Sequence, residues 1–388
     1  MQNFYYDIPT KVYFGKGQIS HLPELVHKFG KKVLLVYGGG SIKRSGLYET
    51  ICERLKNYEI ESWDLAGVEP NPRLSTVCRG VELCRQHEID VVLPIGGGSS
   101  IDCAKAVAAG FYYEGSPWDL VLDHSLIQKA LPIISVLTLS ATGSEMDGFA
   151  VINNDEIADK QEMNSILLYP RYSILDPTYS YTVPKYQTAT GTADIMSHIF
   201  ELYFDGTPEK YVQDRLMEGL LKTCIHFGPI ALENPEDYEA RANLMWASSW
   251  AINGFLSCGL SSCWPVHAME HQLSAIYDVT HGHGLAVLTP VWMRYILNDS
   301  NVDRFVNYGV NVFSISPEKS PYEIAELAIQ KTEEFFQSMG LGIRMQDLGI
   351  TEDSKFELMA ERAACGMDAC QVPLDKDKIV GIYRKCLE

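Results

Sequence analysis

Between about residue 30 and residue 183 the chain alternates short apolar runs with segments of helical composition. Val33-Leu34-Leu35-Val36-Tyr37, Val91-Val92-Leu93-Pro94-Ile95 and Ile133-Ile134-Ser135-Val136-Leu137 are continuously apolar rather than alternating. A strand that reads apolar on both faces is buried on both, and strands separated by helices pair in parallel. The first two runs end in glycine clusters, and residues 101–109, after the second, have helical composition. The pattern predicts an open, doubly wound α/β sheet. After Asp176-Pro177 and Val183-Pro184 the texture changes. Strand-like runs nearly vanish, and 188–205, 208–228, 235–257, 264–277 and 320–338 carry helical composition. Pro208, Pro229, Pro235 and Pro265 fall near the expected boundaries of these segments. The predicted organisation is an α/β domain over 1–183 and an all-helical domain over 184–388, with no long-period repeat and no low-complexity linker.

Composition narrows this picture. A chain of 388 residues, 46% hydrophobic, suits two cores better than one. It has no apolar run of about 18 residues, so no membrane span is expected. The start, Met1-Gln2-Asn3-Phe4-Tyr5-Tyr6-Asp7, lacks the basic stretch and apolar core of a secretion signal, which predicts a cytoplasmic protein. A formal charge of −18 repels phosphate backbones and argues against a nucleic-acid partner. The ten cysteines include no Cys-x-x-Cys. Cys258 and Cys263, and Cys365 and Cys370, lie in apolar surroundings and are expected to be buried free thiols.

Two glycine loops follow predicted strands: Gly38-Gly39-Gly40-Ser41, and Gly96-Gly97-Gly98-Ser99-Ser100 directly before a helix. Glycine lets backbone approach a ligand closely, and a helix N-terminus offers N–H groups and a positive dipole end. Neither loop matches the dinucleotide G-x-G-x-x-G or the Walker pattern. Two such loops at C-terminal strand ends of one sheet nevertheless predict a nucleotide there. A third loop, Thr138-Leu139-Ser140-Ala141-Thr142-Gly143-Ser144-Glu145, also follows a strand.

The helical half carries candidate metal donors. Asp194 and His198 are four residues apart, as are His267 and His271, and His281 follows ten residues later. Positions i and i+4 share a helix face. One carboxylate with three imidazoles suits a divalent first-row metal. The residue after His267 is Ala268, so the glutamate of the zinc-protease motif is missing. Glu270 is expected to face elsewhere on its helix; His283 is either a group supporting the metal ligands or a surface residue, the second being favoured slightly.

Taken together, Phe14-Gly15-Lys16-Gly17, Pro70-Asn71-Pro72, Gly96-Gly97-Gly98-Ser99, Ala141-Thr142-Gly143-Ser144-Glu145, Leu175-Asp176-Pro177, Asp194-x-x-x-His198, residues 241–247, His267-x-x-x-His271 and His281-Gly282 resemble the iron-containing, group III alcohol dehydrogenases. The likeness spans almost the whole chain and is strongest to the butanol dehydrogenase and aldehyde reductase branch. It implies a Rossmann-like dinucleotide-binding domain, an all-α metal-binding domain and a cleft between them, an architecture shared with dehydroquinate synthases. It implies Asp194, His198, His267 and His281 as ligands of one Fe2+ or Zn2+, with His271 near the metal without binding it. It implies the pyrophosphate on Gly97, Gly98 and Ser99, Asp102 near the nicotinamide, cofactor contacts at Thr138, Thr142 and Ser144, and Lys160 near the nicotinamide ribose. Tyr179 and Pro184 fall where the family flanks the cofactor cleft, and relatives are commonly homodimers.

Some relatives place an aspartate in the first glycine loop, where it repels the 2′-phosphate of NADP. Here Gly39 and Gly40 stand there, followed by Ser41, Lys43 and Arg44. NADP(H) is therefore expected over NAD(H), with Asp64 as counter-evidence because it can serve a ribose diol. The expected reaction is reversible hydride transfer between a short- or medium-chain primary alcohol, such as butanol, and its aldehyde, with Asp194 and His267 at the metal. His271 relays a proton or only packs. Three alternatives are weighed: a glycerol dehydrogenase-like polyol oxidoreductase, a non-catalytic nucleotide-binding regulator, and a dehydroquinate synthase-like lyase. The lyase is disfavoured because 241–284 offers only Arg241 to grip an acidic substrate.

Overall fold

The computed structural model describes residues 2–388. Its strands are β1 (Lys11–Phe14), β2 (Lys32–Tyr37), β3 (Glu61–Ala66), β4 (Val91–Gly96), β5 (Ile134–Leu137), β6 (Phe149–Asn154), β7 (Asp159–Asn164) and β8 (Tyr172–Leu175). Six of them form one sheet in the order β1-β8-β5-β4-β2-β3, every neighbouring pair parallel. Alternate residues of the continuous apolar runs feed opposite layers. Leu34, Val36 and Val92 pack with Val77, Val81 and Cys84 of α1 (Leu74–His87) and with Ala104, Val107 and Ala108 of α2 (Gly98–Gly110). Val33, Leu35, Tyr37 and Leu93 pack instead with Leu22, Leu25, Ile51 and Leu55. Each such side chain contributes roughly 1.5–3 kcal/mol on burial, which is why these runs become central strands.

The strands that the apolar pattern misses have physical reasons to be faint. β1 lies on the sheet edge and buries no residue fully, and β8 is only four residues long. The edge strand β3 buries only Leu65. β6 and β7 form a separate antiparallel ribbon, and the polar sequence of β7 buries only Lys160 and Met163.

Beyond Leu175 no strand occurs among the described residues. The principal helices of this half are α3 (Lys185–Tyr203), α4 (Tyr211–Glu233), α5 (Tyr238–Ile252), α6 (Pro265–Tyr277) and α7 (His281–Ile296), followed by Val302–Phe313, Pro321–Ser338, Phe356–Ala363 and Lys376–Leu387. Pro229, expected at a boundary, lies inside α4. The buried stripe Met217, Leu221, Cys224, Gly228 and Ala231 continues past it, so packing outweighs the lost N–H bond. No helix of the described residues is long and apolar enough to cross a membrane.

The chain divides into two compact units. One comprises Asp7–Val183 with Pro235–Ser249; the other comprises Pro184–Asn234, Trp250–Glu388 and the residues up to Tyr6. The segment 235–249, expected in the helical domain, thus groups with the sheet. Met245 of α5 packs with Ile101, Leu137 and Leu175, Ser248 Oγ donates to the Ala141 carbonyl at 3.0 Å, and Ser249 Oγ donates to Glu145.

A second departure concerns the cysteines. Cys263 and Cys370 are joined in a disulfide, with Cα atoms 5.4 Å apart and 107 residues between them in sequence. Their five-residue spacings to Cys258 and Cys365 gave no hint of a partner so distant in the chain.

Candidate functional site

α3 is buried on nearly every side from Thr188 onward, and it places Asp194, His198 and Glu201 at i, i+4 and i+7 on one face. α6 starts at Pro265, where a missing N–H costs nothing, and carries His267, Glu270, His271 and Ser274 at i, i+3, i+4 and i+7. α7 opens on His281 itself. Its glycines are required for this: a Cβ at Gly282 would stand 2.0 Å from the Thr190 carbonyl oxygen of α3, and one at Gly284 would stand 2.8 Å from Glu270 Cγ. The first turn of α7 therefore presses against α3 backbone and the α6 carboxylate.

The donors converge on one oxygen. Asp194 Oδ1 lies 3.6 Å from His198 Nδ1 and 3.8 Å from both His267 Nε2 and His281 Nε2. The ligand atoms of Asp194, His267 and His281 all lie within 4.8 Å of one another. His198 stands outside that triplet but stacks on His267, ring centroids 4.5 Å apart. Asp194 Oδ1, His198 Nδ1 and His267 Nε2 are buried without a hydrogen-bond partner. Buried polar atoms are normally satisfied, so three orphans around one point fit a bound cation. A carboxylate and imidazoles are the donors that Fe2+ and Zn2+ accept.

Burial pushes the Asp194 carboxyl up, but the facing His198, His267 and His281 outweigh it and bring it down to about 2. Burial, reinforced by His267 and His281 against the opposing Asp194, pulls His198 down to about 3. His267 resists burial through Glu201 and Asp194 and rises to about 10. Without a metal, the cluster holds an ionised Asp194, a neutral His198 and a His267 that Glu201 and Asp194 keep protonated.

Two glutamates complete the cluster: Glu201, unremarked in the sequence, and Glu270, expected to face elsewhere. Glu201 Oε2 pairs with His267 Nδ1, while Oε1 accepts the backbone N–H of Val266 at 2.6 Å and of His267 at 3.3 Å. Trp264 supplies no side-chain cap, so the Glu201 carboxylate caps α6 from outside. Glu270 pairs with His281 Nδ1 and accepts the Ser274 hydroxyl. It does not face elsewhere, as expected, because i+3 from His267 is nearly the same face. Their spacing, i+7 from Asp194 and i+3 from His267, was the signal that could have found both.

His271 is half-buried, with its ring 5.6 Å from His281 and 6.4 Å from His267, and its ligand atom groups with Glu270 and His281 rather than with Asp194. His283 is not a surface residue. It is buried, donates from Nε2 to the Gly342 carbonyl at 2.9 Å and accepts the Tyr186 hydroxyl at Nδ1, 3.0 Å away.

In the sheet unit, Gly97 is the N-cap of α2 and offers no side chain of its own. A Cβ at Gly98 would stand 2.3 Å from Thr142 Oγ1, and the Thr138 N–H donates to the Gly96 carbonyl at 2.9 Å, so the second and third loops lie side by side. Ser99 Oγ donates to the Pro70 carbonyl, and Lys160 Nζ donates to Asn71 Oδ1 at 3.1 Å. Ser144 is buried and donates to Asp102 Oδ1 at 2.6 Å. The fully buried Lys105 donates to Ser144 Oγ at 2.8 Å, Asp147 Oδ1 at 2.7 Å and the Phe149 carbonyl at 2.6 Å. Gly38, Gly39, Gly40 and Ser41 form a separate turn after β2, and Tyr179 lies half-buried in the short 177–180 helix.

A parallel sheet with glycine loops at strand ends and a carboxylate–imidazole cation centre define a nucleotide-linked, metal-dependent enzyme class. Comparison with known proteins agrees. Residues 9–177 match the iron-containing alcohol dehydrogenase family, and residues 188–387 match the C-terminal part of the Fe-containing alcohol dehydrogenase family. The chain is 54% identical to NADH-dependent butanol dehydrogenase A of Clostridium acetobutylicum, over 99% of this chain and all of that one. It is 36% identical to the NADPH-dependent aldehyde reductase YqhD of Escherichia coli, over 100% of this chain and 99% of that one. The crystal structure of NADH-dependent butanol dehydrogenase A from Thermotoga maritima superposes with a TM-score of 0.94 at 37% identity, covering 100% of this chain and 99% of that one. The chain belongs to the iron-containing alcohol dehydrogenase family, and it is an oxidoreductase acting between alcohols and aldehydes.

Proposed function

We propose that the chain transfers hydride reversibly between short- to medium-chain primary alcohols, such as butanol, and their aldehydes, using NAD(P)(H). In this reading Asp194, His198, His267 and His281 hold one Fe2+ or Zn2+. The observation that carries it is the set of orphaned, buried donor atoms around Asp194 Oδ1. A divalent ion, when bound there, supplies Lewis acidity toward the substrate oxygen. Glu201 and Glu270 fix the His267 and His281 rings, so that their Nε2 atoms face Asp194. The Asp194 carboxylate tempers positive charge at the centre. His271, half-buried beside His281, is suited to pass a proton to water. The loops at Gly97–Ser99 and Thr138–Ser144 cradle the nucleotide, whose nicotinamide carries the hydride.

The first choice of nucleotide is NADP(H). No carboxylate stands in the 38–41 loop, and Lys43 and Arg44 follow it. The two cations are partly engaged already: Lys43 Nζ lies 4.5 Å from the Tyr48 ring centroid, and Arg44 contacts the Gly39 carbonyl at 3.5 Å. The preference is therefore modest. A specific observation supports NAD(H) as second reading: Asp64, near the end of β3, is held by the Tyr48 hydroxyl at 2.7 Å, as a carboxylate presented to a ribose diol would be. Measuring kcat/KM with both nucleotides decides between them, and a clear preference for NADH overturns the reading from Lys43 and Arg44.

The reaction itself is tested by metal analysis of the purified protein with an aldehyde and alcohol panel. Chelator-stripped protein is expected to lose butyraldehyde reduction and to regain it with Fe2+ or Zn2+. Reduction at undiminished speed after stripping ends the proposal. Light scattering tests the homodimer that the family likeness implies.

A further inference from the structure

Cys263 and Cys370 lie beside the metal centre without belonging to it. Cys263 directly precedes Trp264, the N-cap of α6, and the Trp264 ring packs T-shaped on two imidazoles, its centroid 5.5 Å from that of His267 and 6.0 Å from that of His198. Cys263, Cys370, Pro265 and Gln371 line one cavity together with Glu201, the residue that caps α6 and holds His267. On the other side of the pair, Gln371 rests on Gly206, where a Cβ would stand 2.6 Å from its side chain. Both cysteines are only partly buried, whereas Cys84, Cys103 and Cys224 are fully enclosed and their thiols are pushed up by burial. The 5.4 Å Cα separation falls within the range that a disulfide spans without backbone movement.

We propose that Cys263 and Cys370 form a reversible thiol–disulfide site for low-molecular-weight disulfides such as glutathione disulfide, and that closing it fastens the start of α6 and so slows loss of metal from His267. The exchange balances without another oxidant. One protein thiolate attacks the small disulfide, forms a mixed disulfide and releases one small thiol. The second protein thiolate then displaces the other small thiol and forms the Cys263–Cys370 bond. The two protons lost by the protein end on the two small thiols, and the two electrons of the pair reduce the small disulfide. The bond ties the turn before α6 to a segment 107 residues away, where no other covalent restraint acts on it. The pairing is independent of the proposed reaction, while its effect on metal rests on the centre described above.

The test uses metal-loaded full-length protein equilibrated in glutathione buffers of graded oxidised-to-reduced ratio. Alkylation and peptide mass spectrometry count free thiols, and transfer of metal to a chromophoric chelator gives the release rate. Wild type is expected to lose two alkylatable thiols as the buffer becomes oxidising, in a Cys263–Cys370 peptide. Its metal release is expected to slow by on the order of tenfold. Cys370→Ser should release metal at the reduced-state rate in every buffer, and Cys365→Ser should behave as wild type. Absence of the linked peptide at all ratios overturns the site. A linked peptide with unchanged metal release overturns its coupling to the centre. Protein that holds no metal at all defeats the metal centre instead, and the thiol counts alone then judge the pairing.

Discussion

One carboxylate, Glu201, caps the N-terminus of α6 and holds the His267 ring through Nδ1. Glu201→Gln leaves a single oxygen for both tasks and turns an amide toward one of them. It is expected to weaken metal binding roughly 10- to 100-fold, read by chelator competition, and Glu270→Gln should do the same through His281. Affinity unchanged in both variants would mean the imidazoles orient themselves. A second prediction concerns Glu145, which burial, against the Ser249 hydroxyl bond, pushes up to about 7 from 4.5. The folded chain then binds more protons than the unfolded chain between these values, so stability falls as pH rises from about 4.5 to 7 and the deficit persists above. The shift amounts to roughly 3 kcal/mol. Glu145→Gln should therefore lose less melting temperature than wild type between pH 5 and pH 8, and equal losses would reject the assignment. At this scale a shared helical phase brings residues together legibly, as Asp194 with His198, 3.6 Å apart. His281 and His283 flank one glycine, and only the turn geometry at the start of α7 decides that one faces Asp194 and the other bonds Gly342.

Among elements, legibility followed burial. β2, β4 and β5 are covered on both faces and stand out as continuous apolar runs, whereas β1 and β3 are edges with little to bury. β7 pairs through backbone with a polar sequence, which no apolar pattern reports. The start of α7 offers a test. Gly282→Ala sets a methyl group 2.0 Å from a backbone oxygen that cannot turn aside, while Gly284→Ala meets the flexible stem of Glu270 at 2.8 Å. The first is expected to cost about 1–3 kcal/mol and to lower metal content in the purified protein. The second should cost less stability. Thermal melts and metal analysis of both variants check the order, and the reverse order would show that α7 does not approach α3 backbone as described.

For the whole molecule, every donor of the proposed metal centre comes from α3, α6 and α7, in one compact unit, and every glycine loop comes from the other. Ligands that bind only the folded state stabilise what they touch. Hydrogen exchange should thus report two separable responses. Chelation is expected to raise exchange in 190–203, 264–274 and 281–285, and the nucleotide to lower it in 96–101 and 138–144. A chelator effect confined to the glycine loops would contradict the assignment of donors. One compact unit resumes at Pro184, where the texture of the sequence changes. The grouping of 235–249 with the sheet unit is not legible, because a helix packed on a sheet unit has the same composition as one packed on other helices.

Lys105 has a wider consequence. Its ammonium ties the middle of α2 to the 144–149 turn, so it fastens the helix beneath the second glycine loop to the end of the third loop. In the proposed nucleotide site, loops already joined in this way have less disorder to surrender when a guest arrives.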